Sequence, residues 1–390
     1  MTSRERVLAA LNHREGDRVP FDLGATVVTG IHERTHRALR ERLGLPPAAP
    51  RILDLVQQLA PVGDDLAERL GVDVRGVWPG LPSAWRPAIS RDETGEHYRD
   101  EFGIGWRKPR ECGWYFDMVD HPLAGSISEA DIERFAWPDP RDPARFAGMR
   151  EAARRVVAEE QRALVVGGMC GGILEVYSWL RGYTDFFTDL HLDHRRAAKV
   201  MDRVLDLQLG YWERALDVVG DFADVAFTAD DFAGQQRLLI SPDTYRALVK
   251  PRHRELFGFI HAKSRARVFF HSCGAIHAVI PDLIEAGVDI LNPVQVSADG
   301  MDTAALKREY GRDLTFWGGG VDTQHVLGRG TPSEVRDEVR RRVTDLKAGG
   351  GFVFSAVHNV QPDVPVANIV AMRQALAEFG AYGGAGDGDA

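Results

Sequence analysis

From residue 163 onward, short β-branched and aromatic runs alternate with longer amphipathic segments, at a spacing of about thirty residues. This alternation predicts parallel strands joined by helical crossovers. The predicted strands are 163–167, 224–228, 267–271, 289–292, 314–317 and 352–355. The predicted helices are 173–180, 194–219, 275–286, 303–310, 332–347 and 366–379. With an earlier strand at 18–23, a single (β/α)8 TIM barrel of the α/β class fits the count better than a doubly wound sheet.

The two ends of the chain add features to this barrel. Residues 3–11 have the pattern of a capped amphipathic helix, so we predict an N-terminal helical extension. Residues 75–120 are rich in Trp, Pro and Gly, which predicts an irregular excursion that caps a site or forms a small hairpin. We expect residues 1–380 to form one domain and the glycine-rich residues 381–390 to be a disordered tail.

Composition excludes several classes of function. The 390 residues carry a net charge of −9, which argues against a general nucleic-acid or anionic-membrane surface. No run of 18 apolar residues is present, and the first residues lack the apolar region of a signal peptide. Three cysteines, Cys112, Cys170 and Cys273, lie far apart and do not suggest a disulfide framework. A cytoplasmic location is expected.

Polar residues that follow the strands of such a barrel converge on one mouth, where these folds keep their chemistry. Reading the strand ends of this chain gives a set of candidate functional residues. They are Asp230, Asp231, His271, Cys273, Asn292, Gln295, Asp322, His358 and Asn359.

His271 and Cys273 form the most specific element of that set. They are separated by one residue at the end of a predicted strand, and zinc accepts imidazole nitrogen and thiolate together. His358 follows another predicted strand and would complete a His-Cys-His set with an open fourth position, which is typical of catalytic zinc. The alternative is a buried cysteine packed as a small apolar residue, with His358 an ordinary loop histidine.

The acidic pair Asp230-Asp231 allows three interpretations: a substrate-binding pair, a general base, or the cap of the next segment. We expect one of the two to be functional, with Asp230 favoured. The glycines before Asp322 could cradle an anionic group or simply allow a tight turn. Glu175, at the start of a predicted helix, could face the same mouth.

The order of motifs along nearly the whole chain resembles the uroporphyrinogen decarboxylase superfamily, and within it the cobalamin-dependent methyltransferase branch. The motifs that carry the resemblance are SRERV to DRVP at residues 3–20, DDFAGQ at 230–235, ISPD at 240–243, FHSCG at 270–274, WGGGVD at 317–322 and FSAVHNVQP at 354–362. The resemblance implies a (β/α)8 barrel with its site at the C-terminal mouth.

One departure decides the branch, and a second changes the expected ligand set. Decarboxylases of this superfamily carry arginines just after the first strand that grip substrate carboxylates, whereas residues 21–30 of this chain contain no arginine. Relatives of the coenzyme M type bind zinc with His-x-Cys and a later Cys, and His358, seven residues before Pro365, stands at that later position. Some relatives add a Glu, for which the nearest candidate is Gln295.

The resemblance therefore implies a zinc-dependent methyltransferase with His271, Cys273 and His358 as metal ligands. Methylcobalamin held by a separate corrinoid protein is the expected co-substrate, and O-demethylation of a methoxylated or otherwise methylated small molecule is the expected reaction. The methyl donor or acceptor (a thiol, a folate, an aryl ether or an amine) stays open. A homodimer is what relatives suggest.

The same resemblance assigns roles to the other candidates. Asp230, or less favourably Asp231, would orient or deprotonate the substrate. The predicted substrate-binding residues are Gln235, Asn359, Asp322 and Gln295. The tryptophans of the excursion either form a rim that accepts the corrinoid protein or pack the excursion itself. Two alternatives remain: a decarboxylase-like lyase without metal, and a non-catalytic barrel that binds a tetrapyrrole or corrinoid.

Overall fold

The computed structural model describes residues 1–111 and 113–383 of the chain. The strands within these ranges are β1 (Ile31–His32), β2 (Leu59–Ala60), β3 (Val74–Val77), β4 (Ser90–Arg91), β5 (Gly95–Arg99), β6 (Gly105–Pro109), β7 (Asp117–Asp120), β8 (Ala163–Val166), β9 (Val225–Ala229), β10 (Arg267–His271), β11 (Ile290–Asn292), β12 (Thr315–Trp317) and β13 (Phe352–Val353).

The helices in the same ranges are α1 (Ser3–Leu11), α2 (Glu33–Arg42), α3 (Asp64–Leu70), α4 (Glu129–Arg134), α5 (Pro143–Phe146), α6 (Met149–Arg154), α7 (Ile173–Arg181), α8 (Tyr183–Leu192), α9 (His194–Val219), α10 (Pro242–Thr244), α11 (Lys250–Lys263), α12 (Ile280–Ala286), α13 (Thr303–Tyr310), α14 (Pro332–Leu346) and α15 (Val366–Phe379). Short π-helical turns at Arg155–Glu159 and Tyr245–Val249 and a 3-10 turn at His277–Val279 adjoin them.

Seven parallel strands form the wall of a barrel in the order β13-β12-β11-β10-β9-β8-β3. The segment around Phe21 fills the gap between the two ends of this sheet. Phe21 pairs in parallel with Phe354, and its carbonyl oxygen accepts a hydrogen bond from the backbone N–H of Asp73 at 2.8 Å. The sheet is therefore closed, and the predicted (β/α)8 barrel is confirmed.

Helix α1 covers the N-terminal end of this barrel. Its apolar residues Val7, Ala10 and Leu11 are buried in one cluster with side chains of the barrel interior, among them Val165 and Phe269. This burial explains the period of apolar residues seen in the first helix of the sequence. Helix α1 thus fills the end of the barrel at which the strands begin. The opposite end, at which the strands finish, is the mouth.

The predicted excursion is a small antiparallel sheet with the strand order β4-β5-β6-β7. Its tryptophans mostly pack the excursion itself. The indole N–H of Trp106 donates to Asp100 at 2.8 Å, and that of Trp85 donates to the carbonyl oxygen of Arg99 at 3.2 Å. Trp106 is only 7% exposed, so an aromatic rim built from all of these rings is not present.

Two barrel strands differ from the sequence prediction. The strand predicted at 18–23 is reduced to isolated bridges at Arg18 and Phe21, and the Asp22 side chain accepts a hydrogen bond from the indole N–H of Trp317. Strand β3 was missed, since Arg75 and Gly76 interrupt its apolar run and the segment was assigned to the excursion. The side chain of Arg75 pairs with Glu160, and this ion pair explains how a barrel strand accommodates a charged residue.

The first residues of the predicted tail pack against the barrel. Within the tail predicted to be disordered, Ala381 pairs with Arg18 and the Tyr382 ring is buried, while residues 384–390 lie outside the described part of the chain. None of the helices in the described ranges is both long and apolar enough to cross a membrane.

The fully buried carboxylate of Asp73 joins α1, the closing segment and β3. It accepts hydrogen bonds from Arg6 at 2.6 Å, Arg18 at 2.7 Å and the backbone N–H of Phe21 at 2.8 Å. Because Asp73→Asn removes the buried carboxylate that Arg6 and the partly exposed Arg18 share, we expect it to lower the free energy of unfolding by about 3 kcal/mol. Urea unfolding measures this loss, and the exposed Asp221→Asn should change it by less than about 0.5 kcal/mol.

Candidate metal centre

The parallel pairing of β10 places His271 at the mouth. His271 is the last residue of β10 and lies level with Ala229 on β9 and Asn292 on β11. The apolar run before it is buried in the barrel wall, which determines where the strand ends and which residues follow it. Cys273 comes two residues later, in the turn before the next helical segment, so both side chains reach the same side of the strand end.

A hydrogen bond fixes the tautomer of His271. Its Nδ1 lies 2.5 Å from Oδ1 of Asn292, and Nδ2 of Asn292 donates to the backbone oxygen of Trp317 at 2.6 Å. The second bond orients the amide so that its oxygen faces His271, which must then carry its proton on Nδ1. Nε2 is left as a lone-pair donor, and it lies 3.4 Å from Sγ of Cys273.

His358 completes a group of three metal-ligating side chains. One ligand atom each from His271, Cys273 and His358 lies within 4.8 Å of the others. The rings of the two histidines are 5.6 Å apart between centroids. Two imidazoles and one sulfur at this separation fit the ligand set of a catalytic zinc site with an open fourth position.

Burial affects the protonation of two of these ligands. Burial and the nearby His271 lower the pKa of His358 to about 4, so its ring is neutral at physiological pH and ready to bind a metal. Burial and the charges of Asp231 and Glu175 raise the pKa of the Cys273 thiol well above its ordinary value. A bound cation would reverse this effect, because metal binding displaces the thiol proton.

The two adjacent aspartates after β9 point in different directions. Asp230 is fully buried; its oxygens accept from the backbone N–H groups of Leu174 at 2.9 Å and Glu175 at 2.8 Å, and one lies 2.9 Å from Nε2 of His253. Asp230 therefore caps the N-terminus of α7. Asp231 accepts from the backbone N–H of Cys273 at 2.6 Å, and the same oxygen lies 3.9 Å from Nε2 of His271.

The other predicted site residues hold the loops of the mouth. Gln295 accepts from the backbone N–H of Gly274 at 2.7 Å, directly after Cys273. The side chain of Asn359 donates to Oε1 of Gln57 at 2.5 Å, which ties the His358 loop to the segment before β2. Asp322 caps its own turn by accepting from the backbone N–H of Gln324 at 2.8 Å. Gln235 is exposed, with its side chain 3.4 Å from the hydroxyl of Ser297.

Sequence reasoning did not assign two residues that support this centre. Asn292 was noted as a strand-end residue, but its role in orienting His271 requires the register between β10 and β11. His253 lies in the first turn of α11, and its contact with Asp230 has no signal in the sequence. Both act on other side chains of the site rather than as metal ligands in the cluster.

A family model for uroporphyrinogen decarboxylase (URO-D) matches residues 118–379, which is more than half of the chain. The chain belongs to the URO-D family. The predicted superfamily resemblance is thereby confirmed, and the matched range includes His271, Cys273 and His358.

Relatives of this URO-D family member include two different enzymes. It is 22% identical over 278 residues to a methylated-thiol–coenzyme M methyltransferase of Methanosarcina mazei, covering 68% of each chain. It is 25% identical over 290 residues to a uroporphyrinogen decarboxylase of Alkalilimnicola ehrlichii, covering 72% of this chain and 73% of that protein.

A solved structure shares the whole fold. The structure of a methyltransferase from Methanosarcina mazei superposes with a TM-score of 0.65 at 20% identity, covering 97% of this chain and 99% of the other. At this identity the likeness shows the fold alone, and the chemistry has to be argued from the residues of the mouth.

The hydrogen bond from His271 to Asn292 gives a test of the metal centre. Because Asn292→Ala removes the acceptor that fixes the Nδ1–H tautomer, we expect zinc affinity to fall about 10- to 100-fold. Competition with a chromophoric chelator measures the affinity. Gln236→Ala, at an exposed position outside the cluster, is the control and should bind zinc like the wild type. Equal affinity of Asn292→Ala and the wild type would contradict the role given to this residue.

Proposed function

We propose that this protein is a zinc-dependent methyltransferase that moves a methyl group between a small methylated compound and the corrinoid of a separate protein. The observation that carries the proposal is the convergence of His271, Cys273 and His358 at the mouth of the barrel. The methyltransferase relative supports the reaction class.

The ligand set favours an ether oxygen over a thiol as the zinc-bound atom. Two neutral imidazoles and one thiolate leave a divalent cation with one uncompensated positive charge. A set of one imidazole and two thiolates leaves no uncompensated charge. When bound, zinc would supply a Lewis acid that polarises the oxygen of a methoxy group. His358 in place of a cysteine therefore points to O-demethylation, with a methoxylated small molecule as the methyl donor.

The residues around the cluster have separate tasks in this proposal. Asp231 holds the turn of Cys273 through its backbone N–H and presents its carboxylate next to His271, so it is placed to orient the substrate. Asp230, which was favoured as the residue that orients or deprotonates the substrate, instead acts by positioning α7. Gln235 is the exposed polar side chain available to contact the substrate or the partner. Gln295, Asn359 and Asp322 position the loops.

Porphyrinogen decarboxylation is the second candidate, because the family and one relative carry that name. A porphyrinogen with several carboxylates requires cationic side chains at the mouth. Residues 21–30 contain no arginine, and the Asp231 carboxylate lies 3.9 Å from His271 beside the cluster. The charges of the mouth therefore favour methyl transfer from an uncharged donor.

Metal content tests the proposal directly. We expect one zinc per chain in the wild type and its loss in Cys273→Ser, together with methyl transfer from a methoxylated donor to free cob(I)alamin. Chelation should abolish the transfer and added zinc should restore it. Cys170→Ser is a matched control, because Cys170 contacts Gln208 at 3.5 Å and lies outside the cluster, so zinc and activity should persist. Full activity in zinc-free protein would refute the proposal.

His358 tests the preference for oxygen. Replacing it by cysteine adds a second thiolate, so His358→Cys should retain zinc, transfer methyl groups from methoxy donors at least about tenfold more slowly, and favour thiol partners. The ratio of initial rates with matched methoxy and methylthio compounds measures this change. An unchanged ratio, with zinc retained, would show that the third ligand does not determine the substrate class.

A further inference from the structure

Trp78 directly follows the last residue of β3 and belongs to the barrel rather than to the excursion. Its side chain faces inward, because Val74 on the same strand is buried in the cluster that fills the barrel interior and alternate residues of a strand face the same side. Val74 is 1% exposed, whereas Trp78 packs against that cluster and stays partly exposed. The indole is therefore part of the floor of the mouth.

The strand registers place this indole one level below His271. Continuing the pairing of β3, β8, β9 and β10 puts Trp78 level with Gly167, Phe227 and Phe269. His271 lies two residues beyond Phe269 on the same face of β10, a rise of about 7 Å. Between ring centroids, Phe227 is 5.3 Å from Phe269 and 5.4 Å from Trp78. Three aromatic rings thus form a continuous floor beneath the candidate metal ligand.

The contacts of Trp78 fix the plane of its indole. The indole N–H donates to the carbonyl oxygen of Ala25 at 3.3 Å, and the ring meets that of Phe227 edge to face. A Cβ at Gly167 would lie 2.1 Å from the indole, so the ring lies directly against the backbone there and needs a glycine at this position. The part of the indole that stays exposed consequently faces the open mouth.

The level above the aromatic floor leaves space beside His271. Ala229 is paired with His271 in the register of β9 and β10, and it lies two residues beyond Phe227 on the same face. Its methyl group is partly exposed and is packed against the interior cluster, as is the side chain of Val27. A small residue at 229 leaves room between His271 and Trp78, and the side chains around that room are uncharged.

We propose that Trp78 is a specificity-determining residue that stacks on the aromatic ring of the methyl donor, so that the donor is an aryl methyl ether. This inference rests on the proposed methyl transfer and names its substrate class. With the ether oxygen at the metal-ligand cluster, the ring extends past Ala229 onto the indole. Stacked aromatic rings gain affinity beyond what their buried area provides. A saturated ring of the same size is puckered and lacks this gain.

Binding of two matched ethers to the zinc-loaded protein, with no corrinoid present, tests this role. Methoxybenzene and methoxycyclohexane carry the same methoxy group on six-carbon rings that differ in planarity. In a ligand-observed NMR titration the wild type should bind methoxybenzene about 3- to 10-fold more tightly. Trp78→Leu should abolish this preference and retain zinc, and Trp78→Phe should keep part of it. Trp114→Leu, at an exposed tryptophan of the excursion, is the control and should match the wild type.

Steady-state kinetics with free cob(I)alamin as acceptor give a second readout. Because stacking holds the donor equally in the ground state and in the transition state, Trp78→Leu should raise KM for aryl methyl ethers about 3- to 10-fold and change kcat by less than about twofold. KM for alkyl methyl ethers should stay unchanged. A fall in kcat with both classes of donor would show a general loss of the site and contradict a role in ring recognition.

Equal binding of the two ethers by the wild type would overturn the proposal, and this measurement requires no variant to fold. A preference that persists in Trp78→Leu, a preference lost in Trp114→Leu, or loss of zinc from Trp78→Leu would overturn it as well. A wild type that prefers methoxybenzene but transfers no methyl group from any donor would instead contradict the proposed function. Methyl transfer from both classes of ether, with equal binding, would contradict only the role of Trp78.

Discussion

The parallel register of β9, β10 and β11 is the constraint on which the candidate metal centre depends. It sets His271 level with Ala229 on one side and Asn292 on the other, so the residues that follow each strand meet at the same height. Because successive side chains of a strand face opposite sides, a slip of one residue would turn His271 away from the mouth. The hydrogen bond from His271 to Asn292 and the contact of Asp231 with Cys273 both require this register.

Charge is distributed differently at the mouth and in the rest of the barrel. Elsewhere buried carboxylates are matched with guanidinium groups, as Asp73 is with Arg6 and Asp224 is with Arg4. At the mouth the acidic residues have histidines and backbone N–H groups as partners. A bound cation would balance this excess of negative charge and would at the same time deprotonate Cys273. The electrostatics of the protein and the ligand geometry thus support the same conclusion.

Much of the barrel and the convergence of His271, Cys273 and His358 could be predicted, because strand ends follow from apolar runs and the residues after them meet at the mouth. The choice between Asp230 and Asp231 could not be predicted. Adjacent residues at a strand end face opposite ways, and which one meets a helix N-terminus depends on packing between distant segments. The contact of His253 with Asp230 also depends on packing between distant segments. Strand β3 was missed because the charged Arg75, which pairs with Glu160, interrupts its apolar run.

Helix α1, which fills the N-terminal end of the barrel, has a consequence for the order of events in methyl transfer. With that end occupied, the methyl donor and the much larger corrinoid protein of the proposed reaction would have to approach through one opening. Displacement at a methyl carbon places the incoming and departing atoms on opposite sides, so the donor lies deeper and the corrinoid above it. The small molecule therefore has to bind first, and the demethylated product leaves only after the corrinoid protein has withdrawn.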